Sequence, residues 1–321
     1  MPALRRRGRG GGEASPDAGT APDVPFALGA LLRDGPAPLV PGPPQGERLD
    51  VVLVLGPAHS GPRDAGVPSE LLEALTREGV EVRALAEADA ADGADADVVL
   101  AAGWPAAPAV LTLPGVRARA VLATTAPAPL QELGWATGLA VLGPSWLGGT
   151  LPPGADAAYA PMPVHRREDL VLVHGEEPLG LLAAAELAER RDDLTFAVSG
   201  ARRDLALPFP FLGVDPGSEA LAHAFASATV AFAPPVRGWR PAAVAMLSCG
   251  QVLVAPDDEA TRLALGTTAA LARGPLDAAD AAEELLGDLE LRAARARAGF
   301  ARVQAGWVST AAALAAQLRA L

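Results

Sequence analysis

The feature that most constrains the fold is an alternation of short, continuous apolar runs with helical segments. The first run, LDVVLVLG at residues 49–56, precedes a glycine-bearing loop and an amphipathic helix over residues 68–78. Residues 207–256 repeat the pattern, with predicted helices over 219–227 and 242–248 and predicted strands over 229–233 and 252–255. Continuous apolar strands joined by helices form parallel sheets that are covered on both faces. The pattern therefore predicts an α/β fold with parallel sheets.

The length of the chain and the spacing of these runs indicate two domains of similar size. The 321 residues, half of them apolar, are enough for two ordinary α/β domains. A proline-rich stretch after residue 151 separates the two groups of strands. We predict a disordered tail and linker over residues 1–46, an amino-terminal Rossmann-like domain over 47–163, a carboxyl-terminal Rossmann-like domain over 164–305, and a final helix over 306–321.

Charge and cysteine content exclude several classes of protein. The formal net charge is −12, and all 26 basic residues are arginine. Non-specific nucleic-acid binding requires a basic surface, so we expect no nucleic-acid partner. The single cysteine, Cys249, excludes an intramolecular disulfide and a cysteine-based zinc site.

No run of about 18 apolar residues occurs, which predicts no transmembrane segment and a cytoplasmic protein. An arginine cluster stands in the predicted tail, at Arg5, Arg6, Arg7 and Arg9. A disordered tail is the simpler interpretation of this cluster. A weak peripheral contact with anionic lipid is the alternative.

The loop after the first predicted strand is the first candidate for ligand binding. It contains Gly56, His59, Ser60 and Gly61, at the strand end where backbone N–H groups can meet a phosphate. The dinucleotide-binding fingerprint is absent, because the glycines are too widely spaced and prolines lie between them. A plain strand-to-helix turn and a loop that lines a ligand cleft therefore both remain open.

Residues 165–320 contain, in order, the segments VLVHG, LTFAVSG, FLGVDPGSEALAHAFASATVAFAP, RPAAVAMLSCGQVLVAP and GWVSTAAALAAQL. In these segments the chain resembles the carboxyl-terminal domain of GT-B fold glycosyltransferases, retaining enzymes of the family-4 type. The segment LPFPFLGV is similar to rhamnosyltransferase-like members in particular. The resemblance implies two Rossmann-like domains that face a cleft, and a last helix that crosses back to the first domain.

The donor-site motifs of this family are incomplete in the chain. The resemblance implies an acid where Ala245 stands, and a cationic pair where the chain has Glu176 and Glu177 after Gly175. Two carboxylates beside a diphosphate would repel it.

Other residues of the second domain are therefore candidates for the site. Arg237 and Arg240 are candidate phosphate-binding residues, with a solvated loop as the alternative. Trp239 is a candidate for stacking on a base or sugar, or for packing in the cleft between the domains. His174 follows a predicted strand at the mouth of that cleft, and for both His174 and His59 a structural role is the alternative.

Three functions are consistent with these residues. The first is a glycosyltransferase that moves a sugar from a nucleotide-sugar to a glycan or related acceptor, as the resemblance implies. It would use no cofactor and no metal ion beyond the nucleotide-sugar donor. The second is a catalytically degenerate GT-B protein that binds a protein partner or a glycan. The third is another two-domain Rossmann-like protein, such as a sugar epimerase.

Overall fold

The computed structural model describes residues 36–37, 39, 48–93, 95–124, 139–162, 165–200, 206–214 and 217–321. The arginine cluster and nearly all of the predicted tail lie outside the described residues. None of the described helices is long and apolar enough to cross a membrane.

The first sheet is five-stranded and parallel, with the strand order β2-β1-β3-β4-β5. Its strands are β1 (Leu49–Leu55), β2 (Val80–Ala86), β3 (Val98–Ala102), β4 (Ala118–Leu122) and β5 (Ala140–Leu142). The helices of this half are α1 (Ser69–Arg77) and α2 (Ala107–Thr112), and 3₁₀ helices span Glu87–Gly93, Trp104–Ala106 and Ser145–Leu147.

The second sheet is six-stranded and parallel, with the order β11-β10-β9-β6-β7-β8. Its strands are β6 (Arg167–His174), β7 (Thr195–Ser199), β8 (Phe211–Val214), β9 (Ala228–Phe232), β10 (Leu253–Pro256) and β11 (Ala269–Ala272). The helices are α3 (Pro178–Arg190), α4 (Ser218–Ser227), α5 (Ala242–Ser248), α6 (Glu259–Leu265), α7 (Pro275–Gly287), α8 (Leu289–Val303) and α9 (Gly306–Ala320). The predicted fold class, two α/β domains with parallel sheets, is confirmed.

Burial on both faces of the sheets explains why the strands read as continuous apolar runs. Along β1, Val51, Val52, Leu53 and Val54 are all fully buried. Val51 and Leu53 pack on the face covered by α1, while Val52 and Val54 belong to a separate apolar core on the opposite face. Burial of each such side chain contributes about 1.5–3 kcal/mol, so both faces stabilise the strand.

The carboxyl-terminal helix links the two halves of the molecule. Helix α9 packs against α1, and Gln317 Nε2 donates a hydrogen bond to Thr150 Oγ1 at 3.0 Å. Arg319 donates to the carbonyl oxygen of Glu78. The chain end therefore lies on the domain that carries the first sheet.

Residues 150–162, which we call the connecting segment, join the two halves and pack closely on α9. The Trp307 indole lies directly over Gly154, so a Cβ at that position would overlap the ring. Trp307 Nε1 also donates to Asp156 Oδ1 at 2.7 Å. The connecting segment is therefore held in place by Trp307, which lies 151 residues after Asp156 in the sequence.

Candidate functional site

A cavity of about 300 Å³ lies between the connecting segment and the second sheet, and we call it the interdomain cavity. Its wall combines the carboxyl end of β6, one face of α4 and the start of α5. It is lined by Gly154, Ala155, Asp156, Tyr159, His174, Leu221, Phe225, Arg240, Pro241, Ala242, Val244 and Ala245. Of the predicted site residues, the structure brings His174 and Arg240 together here.

His174 is the last residue of β6 and is held by its neighbours in one orientation. Its Nδ1 lies 2.8 Å from Ser199 Oγ, within hydrogen-bonding distance, and Ser199 is fully buried at the end of β7. Its ring packs edge-on against Phe225, with 5.4 Å between centroids. Burial lowers the pKa of His174 below its usual 6.5. The site therefore presents a neutral, oriented imidazole at pH 7.

Gly175 follows His174 and turns the chain away from the sheet. Its φ of 85° lies in the region that favours glycine, and its N–H donates to the carbonyl oxygen of Ser199 at 2.7 Å. Gly175 is not part of the cavity wall. Gly175 instead helps to fix the position of His174.

Arg240 is the cation of the interdomain cavity, and it reaches across to the first domain. Its guanidinium forms an ion pair with Glu70 of α1, and its Nη1 lies 3.6 Å from Asp156 Oδ2. Burial and, secondarily, the positive charge of Arg63 lower the pKa of Arg240. Arginine side chains nevertheless remain charged in proteins. The guanidinium of Arg240 therefore interacts with the carboxylates of both Glu70 and Asp156.

Trp239 fastens the loop before α5 to the first domain. Its side chain is 3% exposed, and its Nε1 donates to the carbonyl oxygen of Ala123 at 2.6 Å. In return, Trp146 Nε1 donates to the carbonyl oxygen of Gly238 at 2.8 Å. Of the two roles considered for Trp239, the structure shows packing between the domains.

Arg237 lies on the same loop but apart from the interdomain cavity. It is exposed, and no described residue forms a hydrogen bond or ion pair with it. It does not line the interdomain cavity. The solvated loop is therefore the alternative that this structure favours for Arg237.

The predicted residues of the first domain lie elsewhere. Gly56 and His59 line a separate cavity of about 540 Å³ beside the carboxyl ends of β1 and β2, which we call the first-sheet cavity. Ser60 and Gly61 line neither cavity, and the Ser60 hydroxyl donates to the Asp64 carboxylate. Of the nine predicted site residues, the structure thus places His174 and Arg240 at one cavity, Gly56 and His59 at another, and the other five at neither.

Comparison with solved structures settles the fold. Sucrose-phosphate synthase from Thermosynechococcus elongatus superposes with a TM-score of 0.61 at 14% identity, covering 84% of this chain and 97% of that one. HepE from Anabaena, solved in complex with UDP, gives 0.58 at 14% identity, covering 85% and 100%. This chain has a GT-B fold. The spinosyn rhamnosyltransferase SpnG gives 0.53 at 16% identity, covering 85% and 100%. No protein-family model matches the chain, and no curated protein matches it by sequence.

The structure also places the three residues at which the resemblance implies a different side chain. Ala245, which stands where the resemblance implies an acid, lines the interdomain cavity. Glu176 and Glu177, which stand where the resemblance implies cations, are not part of that cavity wall. These two glutamates therefore make no direct contact with the interior of the cavity.

Two polar residues of this cavity, Asp156 and Tyr159, are not among the residues that the sequence predicts for a site. Both come from the connecting segment, whose proline-rich sequence indicates only a domain boundary. Tyr159 stacks on Phe225 with 5.8 Å between centroids, and burial, reinforced by the negative charge of Asp156, raises its pKa. The only sequence signal for these two residues is that an isolated acid and an isolated tyrosine stand in a segment rich in alanine and proline. The described residues hold no group of three or more His, Cys, Asp or Glu placed to bind a metal ion.

Proposed function

We propose that this chain is a glycosyltransferase that moves a sugar from a nucleotide-sugar to a hydroxyl of a glycan or related acceptor. The observation that carries the proposal is that His174 and Arg240 both line one interdomain cavity of a GT-B fold. HepE, a neighbour with the same fold, has been solved with UDP and with UDP-glucose. A uridine nucleotide is therefore the first donor to test.

In this proposal Arg240 binds the diphosphate of the donor. Its ion pair with Glu70 is 42% and 40% exposed on the two sides, and an ion pair of such exposure is worth about 0–1 kcal/mol. A diphosphate carries more negative charge than one carboxylate and accepts two parallel hydrogen bonds from a guanidinium. The existing pair is thus weak enough for the ligand to displace.

His174 supplies a hydrogen bond from a neutral ring in this proposal. Because burial lowers the pKa of His174, the ring is neutral at pH 7 and contributes a hydrogen bond but no charge to the cavity. Ser199 and Phe225 hold the ring in position before the ligand arrives, which reduces the entropy lost on binding.

We further propose a retaining transfer of the rhamnosyltransferase-like type. In such a transfer the donor phosphate itself accepts the proton of the acceptor hydroxyl, so the protein supplies alignment and electrostatic stabilisation. Because the donor phosphate accepts the proton, this mechanism needs no carboxylate for proton transfer at position 245, where the chain has alanine. No metal ion is required by this chemistry.

Isothermal titration of the full chain with UDP, GDP and dTDP tests donor binding. We expect one of them to bind with a Kd below about 1 mM, and R240Q to weaken it by about ten- to a hundredfold through the loss of a charge-assisted hydrogen bond. R273Q is the matched control, since Arg273 is exposed and pairs with Asp257 outside the interdomain cavity.

The outcomes separate the candidate functions. Absence of binding by all three nucleotides at millimolar concentration refutes the proposal. Release of free nucleoside diphosphate from the matching nucleotide-sugar supports transfer activity. Binding without any release would assign the chain to non-catalytic GT-B proteins.

A further inference from the structure

The first-sheet cavity has the size and the wall of a small-molecule site. Its volume of about 540 Å³ lies within the 300–1,000 Å³ that is usual for such sites. The walls are mostly alanine side chains with Pro57 and Leu113, contributed by the ends of β1 and β2, the 3₁₀ helix Glu87–Gly93 and α2. The cavity shares no lining residue with the interdomain cavity.

Two buried polar atoms in this wall have no partner among the described residues. They are Nδ1 of His59 and Oε2 of Glu87. The hydroxyl of Thr112, which also lines the cavity, is already occupied, because it donates to the carbonyl oxygens of Pro108 and Ala109. Buried polar atoms are normally hydrogen-bonded, so these two atoms are the points at which a ligand would be held.

The absence of a side chain at Gly56 permits the position of the His59 ring. A Cβ at Gly56 would lie 3.2 Å from His59 Nδ1 and 3.4 Å from the Cβ of Pro105, tighter than ordinary contact. The glycine therefore allows the imidazole to lie against the end of β1. This is a local arrangement that a simple strand-to-helix turn does not require.

The electrostatics of the wall exclude an anionic ligand. Among the described residues no arginine pairs with Glu87, and burial raises the pKa of its carboxyl group. A phosphate or carboxylate would meet this acid without a compensating cation. A hydroxyl group, by contrast, can donate to an imidazole nitrogen or a carboxylate oxygen and can accept from a protonated acid.

We propose that the first-sheet cavity binds a compact, uncharged, mainly apolar molecule through a hydroxyl group held by His59 and Glu87. The apolar walls take the body of the ligand, and the two buried polar atoms take its hydroxyl. This binding is independent of the proposed transfer, because the two cavities have separate walls.

Equilibrium dialysis of the full chain against 2-naphthol, which is uncharged at pH 7, tests the proposal. The comparison probes are 2-methoxynaphthalene, which lacks the hydroxyl proton, and 2-naphthylmethylamine, which is cationic. We expect saturable binding of 2-naphthol at one site, about tenfold tighter than the methoxy compound, as one hydrogen bond to a charged or buried group allows.

Three variants locate the site. A86W places a large ring at an exposed residue of the wall and should abolish binding, while E87L should reduce the preference for 2-naphthol to less than about threefold. L276W, at an exposed leucine of α7 outside the cavity, should bind like the unmodified chain. UDP titration of A86W checks that the chain is folded, since the interdomain cavity is untouched, and circular dichroism does so if UDP does not bind.

Saturable binding that survives in folded A86W overturns the proposal, as does a complete absence of saturable binding. Equal affinity for the methoxy compound, or tighter binding of the ammonium compound, overturns the hydroxyl class. Loss of UDP binding with retained 2-naphthol binding would count against the proposed function only.

Discussion

Replacing Trp239 with phenylalanine removes one hydrogen bond and part of one buried ring at the contact between the two domains. Trp239 is 3% exposed and its Nε1 donates at 2.6 Å to the carbonyl oxygen of Ala123, which is itself fully buried. In W239F that carbonyl oxygen has lost its donor inside the protein. The smaller ring also reduces the contact between the loop before α5 and Trp307, whose ring lies 6.4 Å from that of Trp239.

Two contributions set the size of the effect. Leaving a buried carbonyl oxygen without its partner costs about 1–3 kcal/mol. The smaller ring buries fewer apolar atoms, which costs roughly 2 kcal/mol. We therefore expect W239F to lower the free energy of unfolding by roughly 3–5 kcal/mol.

Trp104 offers a matched control within the same chain. It is also buried, at 1% exposure, but its Nε1 has no hydrogen-bond partner among the described residues. W104F therefore changes ring size without breaking a hydrogen bond, and it removes a buried unpaired donor. We expect W104F to cost at most about 2 kcal/mol.

Urea unfolding followed by far-UV circular dichroism gives the free energy of unfolding of both variants. A second probe, the intrinsic tryptophan fluorescence, reports whether the two domains still unfold together. If W239F destabilises the chain no more than W104F does, then the hydrogen bond to Ala123 does not fasten the loop to the first domain.

Three further substitutions test other parts of the structure. E70Q removes the main competitor for Arg240, so UDP affinity measured by titration should rise about two- to fivefold, and a fall would contradict the proposed phosphate contact. G154A should lower the free energy of unfolding by about 1–3 kcal/mol, because its Cβ overlaps the buried indole of Trp307. G213A is the control in the same urea experiment: its Cβ meets open space, so it should change the free energy of unfolding by less than about 0.5 kcal/mol. Burial depresses the pKa of His174, so its contribution to stability is present above pH 6.5 and is lost as pH falls through the folded-state pKa. H174N should therefore lose less stability than the unmodified chain between pH 7.5 and 5, and parallel pH profiles would refute this account.

Much of the fold could be predicted from the sequence because its signals are local. The predicted helix over residues 242–248 has the observed bounds of α5, and the predicted strand over 229–233 differs from β9 by one residue at each end. Continuous apolar runs, glycine stops and helical spacing all act over fewer than about fifteen residues. The strand that ends at His174 was also predicted in this way, whereas the position of His174 beside a cleft was implied by the resemblance to GT-B enzymes.

The composition of the site was less predictable because its contacts join distant parts of the chain. Glu70 and Asp156, the partners of Arg240, lie in a helix of the first domain and in the connecting segment. No local pattern pairs them with a loop of the second domain. Trp239 could not be assigned either, because an indole is suited both to ligand stacking and to buried packing with its N–H bonded.

The interdomain cavity also limits how the chain can be split into separately expressed halves or recombined in a chimera. Its polar side chains and their ion-pair partners come from three separate pieces of chain. Asp156 belongs to the connecting segment, the neutral His174 and the cationic Arg240 belong to the second domain, and Glu70, which pairs with Arg240 from outside the cavity wall, belongs to the first domain. Either half expressed alone would keep its own sheet but only part of this cluster. A chimera that grafts the second half onto a foreign first domain would need a carboxylate at the position of Glu70 and a surface that receives helix α9.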